Sequence, residues 1–250
     1  MSDLKLAKER KLIDYTPCFA SVGHFLQRRE LTKILKRLIQ ISSTPLSAVE
    51  TSFAVDSSGF STSRFARYFD YKWGKENRYR IWLKAHIICG TKTNIITDAE
   101  VTDGYSNDSP QLTKLVNETA KRFSVGEVSC DKAYSSRENL ELIGKVGAVP
   151  YIPFKKNVTG QAGGSSIWKR MYYYFMFNHD EFNQHYHKRS NSETCFHMLK
   201  TKFRDGLRSK TRTAQVNELL CKILCHNLCV VIQEMSELGI SGRFIEKVIS

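Results

Sequence analysis

Apolar and polar positions first alternate at helical spacing over residues 24–40, HFLQRRELTKILKRLIQ. Phe25, Leu31, Ile34, Leu35, Leu38 and Ile39 can form one stripe, with Arg28, Arg29, Lys33, Lys36 and Arg37 largely elsewhere. Residues 41–50, ISSTPLSAVE, read as a Ser/Pro linker. In SFAVDSSGF, the apolar run 53–55 reads as the end of a buried strand that stops at Asp56, before a Ser-Ser-Gly turn. Residues 79–90 predict a strand and 94–101 its partner. A helix is predicted over 110–123, a strand over 125–130 ending at Asp131, a helix over 136–146 and a strand over 148–152. Residues 155–170, with KKN, GQAGGSS and WKR, are the most loop-like part of the chain. Two helices are predicted over 180–203 and 213–237, and no internal repeat is visible. Strands first, then mixed elements, then helices imply an α/β fold: a mixed sheet with helices packed on it.

Composition fits a folded chain. Of 250 residues, 41% are hydrophobic and 25% charged, enough to bury a core and unlike a disordered basic tail. The length suits one domain with an extension, or two small ones. No run reaches the ~18 apolar residues of a membrane span, and MSDLKLAKERK lacks an apolar signal core. A soluble, cytoplasmic protein without a membrane partner is expected. The seven cysteines contain no CxxC pair, which fits reduced thiols better than a disulfide framework or zinc ribbon. Cys221, Cys225 and Cys229 read as a small-residue stripe facing the core of an apolar helix rather than a metal site.

Charge changes the picture more. With 38 Lys+Arg against 25 Asp+Glu, the formal net charge is +13. That excess favours a polyanion, and nucleic acid leads. The basic helix at 24–40 either lies on DNA or packs on the core with its cations in solvent. Residues 151–212 hold 12 Lys/Arg against 4 Asp/Glu, and residues 64–84 hold 7 against 2. In the second segment aromatics interleave with cations, a mixture that grips backbone and sugar or covers a sheet edge.

The candidate chemistry lies in three carboxylates. Asp56 follows Phe-Ala-Val and Asp131 follows Val-Ser-Cys, each where an apolar strand gives way to small polar residues. Such carboxylates can converge on one metal, although Asp at a strand end is often only a turn former or cap. The third lies in HYHKRSNSETCFHMLKTKFR, which carries Tyr186, Arg189, Glu193 and Lys200. On one continuous helix these four fall within an arc of about 60°. The bland reading is a solvated face with an Arg–Glu pair at i, i+4. The sharper one is a metal-binding carboxylate flanked by phosphate-holding cations.

The spacing Tyr186-x2-Arg189-x3-Glu193-x6-Lys200 resembles the third-acid signature of DDE transposases from bacterial and archaeal insertion sequences. AVDSSGF at Asp56 and SCDKAYSS at Asp131 match the first two acids, in the order Asp, Asp, Glu. The resemblance covers roughly residues 50–235. It implies an RNase H-like fold, with a mixed five-stranded sheet carrying Asp56 on its first strand and Asp131 after its fourth. Residues 51–250 would be the catalytic domain, behind an N-terminal helical extension and linker over 1–50. The interval from Asp131 to Glu193 leaves little room for the large β insertion some relatives carry there.

The resemblance also implies two Mg²⁺ ions, with Mn²⁺ able to substitute, held by Asp56, Asp131 and Glu193 for phosphoryl transfer on DNA. The residue types suit that chemistry, because hard cations take oxygen ligands and two of them about 4 Å apart serve both reacting oxygens. Arg189 can fork onto a phosphate, Lys200 can act as a point charge, and Tyr186 can donate or stack. Lys132 and Lys155-Lys156 adjoin the site and are expected to meet the backbone. Trp168 matches the place where some relatives hold a flipped base, or it packs under a loop. Asp98, Asp103 and Asp108 read as turn formers, with Asp108 able to cap a helix. His197 borders the signature.

The implied partners are double-stranded DNA, as terminal inverted repeats and target, and a second copy of the chain in the active complex. Many relatives carry a longer region before the first acid, so a shortened copy or one half of an interrupted gene is expected. Two other readings remain open: a catalytically silent, transposase-derived DNA-binding protein, and a nuclease on the same fold.

Overall fold

The computed structural model describes residues 2–62, 82–161 and 163–244. Most of the aromatic and basic segment at 64–84 lies outside them. Three helices come first: α1 (Ser2–Glu9), α2 (Phe19–Leu26) and α3 (Arg29–Ser43), the last running into a 3-10 turn over Thr44–Leu46. Strands β1 (Ser52–Ser61), β2 (Trp82–Gly90) and β3 (Ile96–Asp103) follow, then α4 (Gln111–Ala120), β4 (Glu127–Cys130), α5 (Arg137–Lys145) and β5 (Val149–Tyr151). Helices α6 (Ser166–Phe177), α7 (His179–Tyr186), α8 (Ser190–Phe203) and α9 (Arg212–Glu237) complete the order.

The five strands form one sheet in the order β3-β2-β1-β4-β5. β1 pairs antiparallel with β2, and β2 with β3, while β4 runs parallel to β1 and to β5. This mixed sheet flanked by helices is the α/β, RNase H-like architecture that the resemblance implies. Side chains alternate across β1. Phe53 and Val55 join Val128, Cys130, Leu112, Leu115 and Leu140 on one face. Ala54 and Phe60 join Leu83, Ile87, Leu35, Leu199 and Leu219 on the other. Helices α4 and α5 cover the first face, and α3, α8 and α9 the second.

The basic helix packs on this core. Leu31, Leu35 and Ile39 of α3 are buried, whereas Phe25, Ile34 and Leu38 from the expected stripe are exposed. The buried positions follow i, i+4, i+8, a narrower seam than six apolar residues suggest. Arg28, Arg29, Lys33 and Arg37 stay in solvent, and Lys36 pairs with Glu100 at 2.5 Å. The expected linker is also packed. Leu46 is fully buried, and the buried Glu50 carboxylate accepts from the amides of Lys92 and Thr93 and from the Thr93 hydroxyl. It fastens the β2–β3 turn, where Gly90 leaves room that a Cβ would fill at 2.3 Å from the Glu50 carboxyl carbon.

Three further expectations change. β1 does not stop at Asp56 but continues through Ser-Ser-Gly to Ser61, paired with β2 throughout. The expected loop at 155–170 yields to α6 at Ser166, where the Ser165 hydroxyl caps the Trp168 amide. The helix expected over 180–203 is broken, with a 3-10 turn over His187–Arg189 separating α7 from α8.

Helix α9 is long and apolar enough to cross a membrane by length and composition, yet half of that window is buried in the fold. Its inward face carries Asn217, His226 and Asn227 beside Leu219, Leu220, Ile223 and Val230. The cysteine stripe only borders the core: Cys221 packs against it half-buried, Cys229 is half-buried and Cys225 is exposed. The four-residue spacing takes these positions off the core-facing arc.

Candidate active site

Parallel pairing of β1 with β4 sets the two aspartates together. Val55 lies opposite Cys130, the last pair of the ladder. Asp56 and Asp131 occupy the next position on each chain, across a strand spacing of roughly 4.8 Å. By alternation both belong to the face that carries Ala54 and Ser129, the face covered by the α7–α8 junction. There the Ser129 hydroxyl donates to the His185 carbonyl at 3.1 Å. Each aspartate also accepts the amide that follows it: Ser57 to Asp56 at 2.8 Å, and Lys132 to Asp131 at 2.5 Å. Asp131 thereby caps the short 3-10 turn Lys132–Tyr134.

Arg189 joins the third acid to this pair. Its guanidinium donates to Asp56 at 3.3 Å through one nitrogen and to Glu193 at 2.6 Å through the other. The Ser192 hydroxyl shares its one proton between the Arg189 carbonyl at 2.7 Å and Asp56 at 3.3 Å. The Glu193 side chain is 58% exposed, whereas those of Arg189 and Asp56 are 22% and 21% exposed. Glu193 lies in the first turn of α8, where the helix dipole favours a carboxylate. About two helical turns beyond Glu193, Lys200 donates to Ser58, two residues along β1 from Asp56, at 2.7 Å and lies 5.4 Å from the Phe60 ring centroid. Tyr186 ends α7, with the Arg189 guanidinium carbon 5.9 Å from its ring centroid. The four signature residues therefore share one side even though the helix is interrupted, because the 3-10 turn keeps Arg189 directed at β1.

Burial raises the Asp56 carboxyl above its ordinary range, and the Ser57 amide and Arg189 offset that only in part. A half-buried carboxylate near Glu193 and one strand away from Asp131 is chemically suited to a cation. Asp56 and Asp131 are the pair best placed to hold one. Glu193 is engaged by Arg189, and among the described residues no three His, Cys, Asp or Glu side chains converge closely enough to enclose a metal. The donor set, oxygen only, fits magnesium or manganese. A third carboxylate ligand requires Glu193 to part from Arg189.

The other expected residues are placed as follows. Lys132 is exposed beside Asp131, and Lys155 and Lys156 are exposed after β5. Trp168, expected to meet DNA, is 7% exposed, with its indole N–H bound to the Thr159 carbonyl and its ring edge-on to Phe154. Its stacking faces are taken up by the core, so it does not join the carboxylates. His197 is exposed and contacts Thr201. None of the three extra aspartates is a simple turn former. Asp98 is buried in β3 and accepts from Gln40, Asp103 pairs with Arg212, and Asp108 pairs with Lys84 rather than capping α4.

Sequence reading missed the residues that hold the signature in place. Ser192 and Ser58 are the hydroxyl partners of Asp56 and Lys200. Glu127 at the start of β4 binds His185 at 2.6 Å, Lys188, and the Ser52 hydroxyl at 2.6 Å. Tyr151 stacks on His185 with ring centroids 4.4 Å apart. This cluster ties the α7–α8 junction to the sheet. The one sequence signal for it was an acid in an otherwise apolar strand.

A profile of the transposase DDE domain matches residues 48–228, from just before β1 into α9. No curated protein matches the chain. Members of the matched family act on DNA as polynucleotidyl transferases and use divalent metal ions. With well over half of its length inside the match and with the Asp, Asp and Glu on the expected elements, this chain belongs to the transposase DDE domain family.

Proposed function

We propose that this chain cuts the ends of an insertion sequence and joins them to target DNA, with Asp56, Asp131 and Glu193 as its metal-binding catalytic acids. The observation that carries the reading is the placement of Asp56 and Asp131 at adjacent positions of two parallel strands, with Arg189 linking Asp56 to Glu193. Magnesium, or manganese in its place, would supply an activated oxygen nucleophile and stabilise the leaving oxygen. Arg189 exchanges its carboxylates for a backbone phosphate, Lys200 places a point charge beyond it, and Tyr186 borders the same path. Lys132 meets the backbone beside Asp131. The proposed partners are terminal inverted repeats, target duplex and a second copy of the chain. Residues 51–250 act as the catalytic domain and 1–50 as its helical extension, working in the cytoplasm on nucleoid DNA.

Incubation of the purified chain with labelled transposon-end duplex and Mg²⁺ or Mn²⁺ tests this. Cleavage with strand transfer is expected. Alanine at Asp56, Asp131 or Glu193 abolishes cleavage and leaves end binding largely intact. Full cleavage by any of these variants overturns the assignment. Cleavage without joining marks a nuclease, and binding alone marks a silent DNA-binding protein.

A further inference from the structure

The chain leaves α8 through an unusual backbone. Arg204 adopts φ 63° and ψ 157°, a region open in practice only to glycine. The segment behind it is nonetheless tied on both sides. The Ser61 amide donates to the Asp205 carbonyl at 3.1 Å, and the Leu207 amide to the Ser61 carbonyl at 2.8 Å, so the segment extends beside the end of β1. From α9, Lys222 donates to the carbonyls of Arg204 at 3.1 Å and Gly206 at 2.8 Å. The Glu218 carboxylate accepts the amides of Arg208 at 3.0 Å and Ser209 at 2.8 Å. Leu207 is buried beneath.

These bonds use backbone groups and leave the loop's cationic side chains outward. Lys202, Arg204, Arg208 and Lys210 are exposed, and among the described residues none forms an ion pair. Asp205 is the single acid among them. A cavity of about 290 Å³ opens between Lys202, Arg204, Arg208 and Lys222. Glu218 also lines the cavity and pairs with Lys222 at 3.8 Å, so the charge left around the cavity is that of Lys202, Arg204 and Arg208.

We infer that the loop 202–210 is a preorganised phosphate-binding element that grips the nucleic-acid backbone several base steps away from the reacting bond. The inference rests on the proposed action on DNA and extends it to a site that touches no catalytic acid. Ser61 lies five residues along β1 from Asp56, roughly 16 Å at the rise of a strand. That spans about five base steps of duplex at 3.4 Å each. Lys200 lies between them on Ser58, so the cations form one track leading away from the carboxylates. Holding the loop rigid before binding avoids the ordering cost of a flexible basic segment, and Arg204 places a charge where glycine would fit without strain.

Fluorescence anisotropy with labelled duplex DNA, titrated with salt, tests the loop. Arg208→Ala should weaken binding several-fold near 0.1 M salt and flatten the log–log salt slope by about 0.9 per lost phosphate contact. Arg204→Gly separates charge from structure: it should raise the melting temperature by relieving the backbone and still weaken DNA binding with a flatter slope. Wild-type affinity and slope in both variants overturn the inference. So does an affinity loss in Arg204→Gly that occurs only with a lowered melting temperature. The readout is independent of cleavage. An active enzyme with unchanged slopes sinks the loop alone, whereas flattened slopes in a chain that never cleaves DNA sink the catalytic reading alone.

Discussion

Asp56 and Glu193 share one guanidinium: Arg189 reaches the first at 3.3 Å and the second at 2.6 Å. Without a cation, Arg189 is what allows these acids to lie near each other. Removing it leaves one half-buried carboxylate without a positive partner. Arg189→Ala should destabilise the metal-free protein by about 1–2 kcal/mol, between the values for exposed and buried pairs. Urea unfolding in chelator measures it. Arg189→Lys should recover part of the stability, because a point charge cannot serve both acids in the same geometry.

Asp56 carries a burial cost of its own. Its folded-state pKa is raised, so the folded chain binds a proton more readily than the unfolded one. The associated stability is present below the unfolded value and is lost as pH rises through the raised value. Asp56→Asn should therefore increase the melting temperature at neutral pH in metal-free buffer while abolishing cleavage. The gap from wild type should shrink toward pH 4. A neutral-pH variant less stable than wild type would show that the Ser57, Ser192 and Arg189 contacts outweigh burial.

Asp98 offers a second pH dependence, away from the catalytic acids. Burial pushes its carboxyl from the ordinary 3.8 up to about 6, against the opposing hydrogen bond from Gln40. Stability should fall as pH rises from about 4 to about 6, by at most roughly 3 kcal/mol. Asp98→Asn should flatten this part of the profile. Chemical denaturation at several pH values reads the difference.

Trp168 separates a core role from a contact with DNA. It lies in the aromatic cluster with Phe154, and its N–H is satisfied by Thr159. Trp168→Ala should cost ~3–5 kcal/mol, as for other large aromatic truncations. Trp168→Phe should keep the fold and bind transposon-end duplex with wild-type affinity. A large loss of affinity in a folded Trp168→Phe protein would place the ring on the DNA path.

The strands and the order of the acids were legible because apolar runs in a buried sheet are local signals. The candidate acids were legible as two aspartates at strand ends and as Glu193 within the spacing of Tyr186, Arg189 and Lys200. The extent of β1 was not. Ser57, Ser58 and Gly59 have turn chemistry, and only pairing with His86, Ala85 and Lys84 keeps them in a strand. The start of α6 was hidden by the glycines before it, since Ser165 acts as a cap only once the chain beyond it coils. The break at His187–Arg189 has no proline or glycine to mark it. It follows from tertiary contacts, as Glu127 draws His185 and Lys188 toward the sheet. Residues such as Ser192, Ser58 and Glu127 gain meaning only from partners distant in sequence, which periodicity cannot supply.

The parallel pairing of β1 with β4 also sets the order in which the chemistry can come into being. Parallel strands close only after the intervening chain has folded back, a slow, long-range step. A chain still emerging from the ribosome holds Asp56 but not its neighbour until β4 has appeared, and Glu193 follows later still. Most of the basic excess lies in residues 151–212, and Lys200 and the 202–210 loop follow Glu193, so the candidate acids and the cations around them are completed together, late in synthesis.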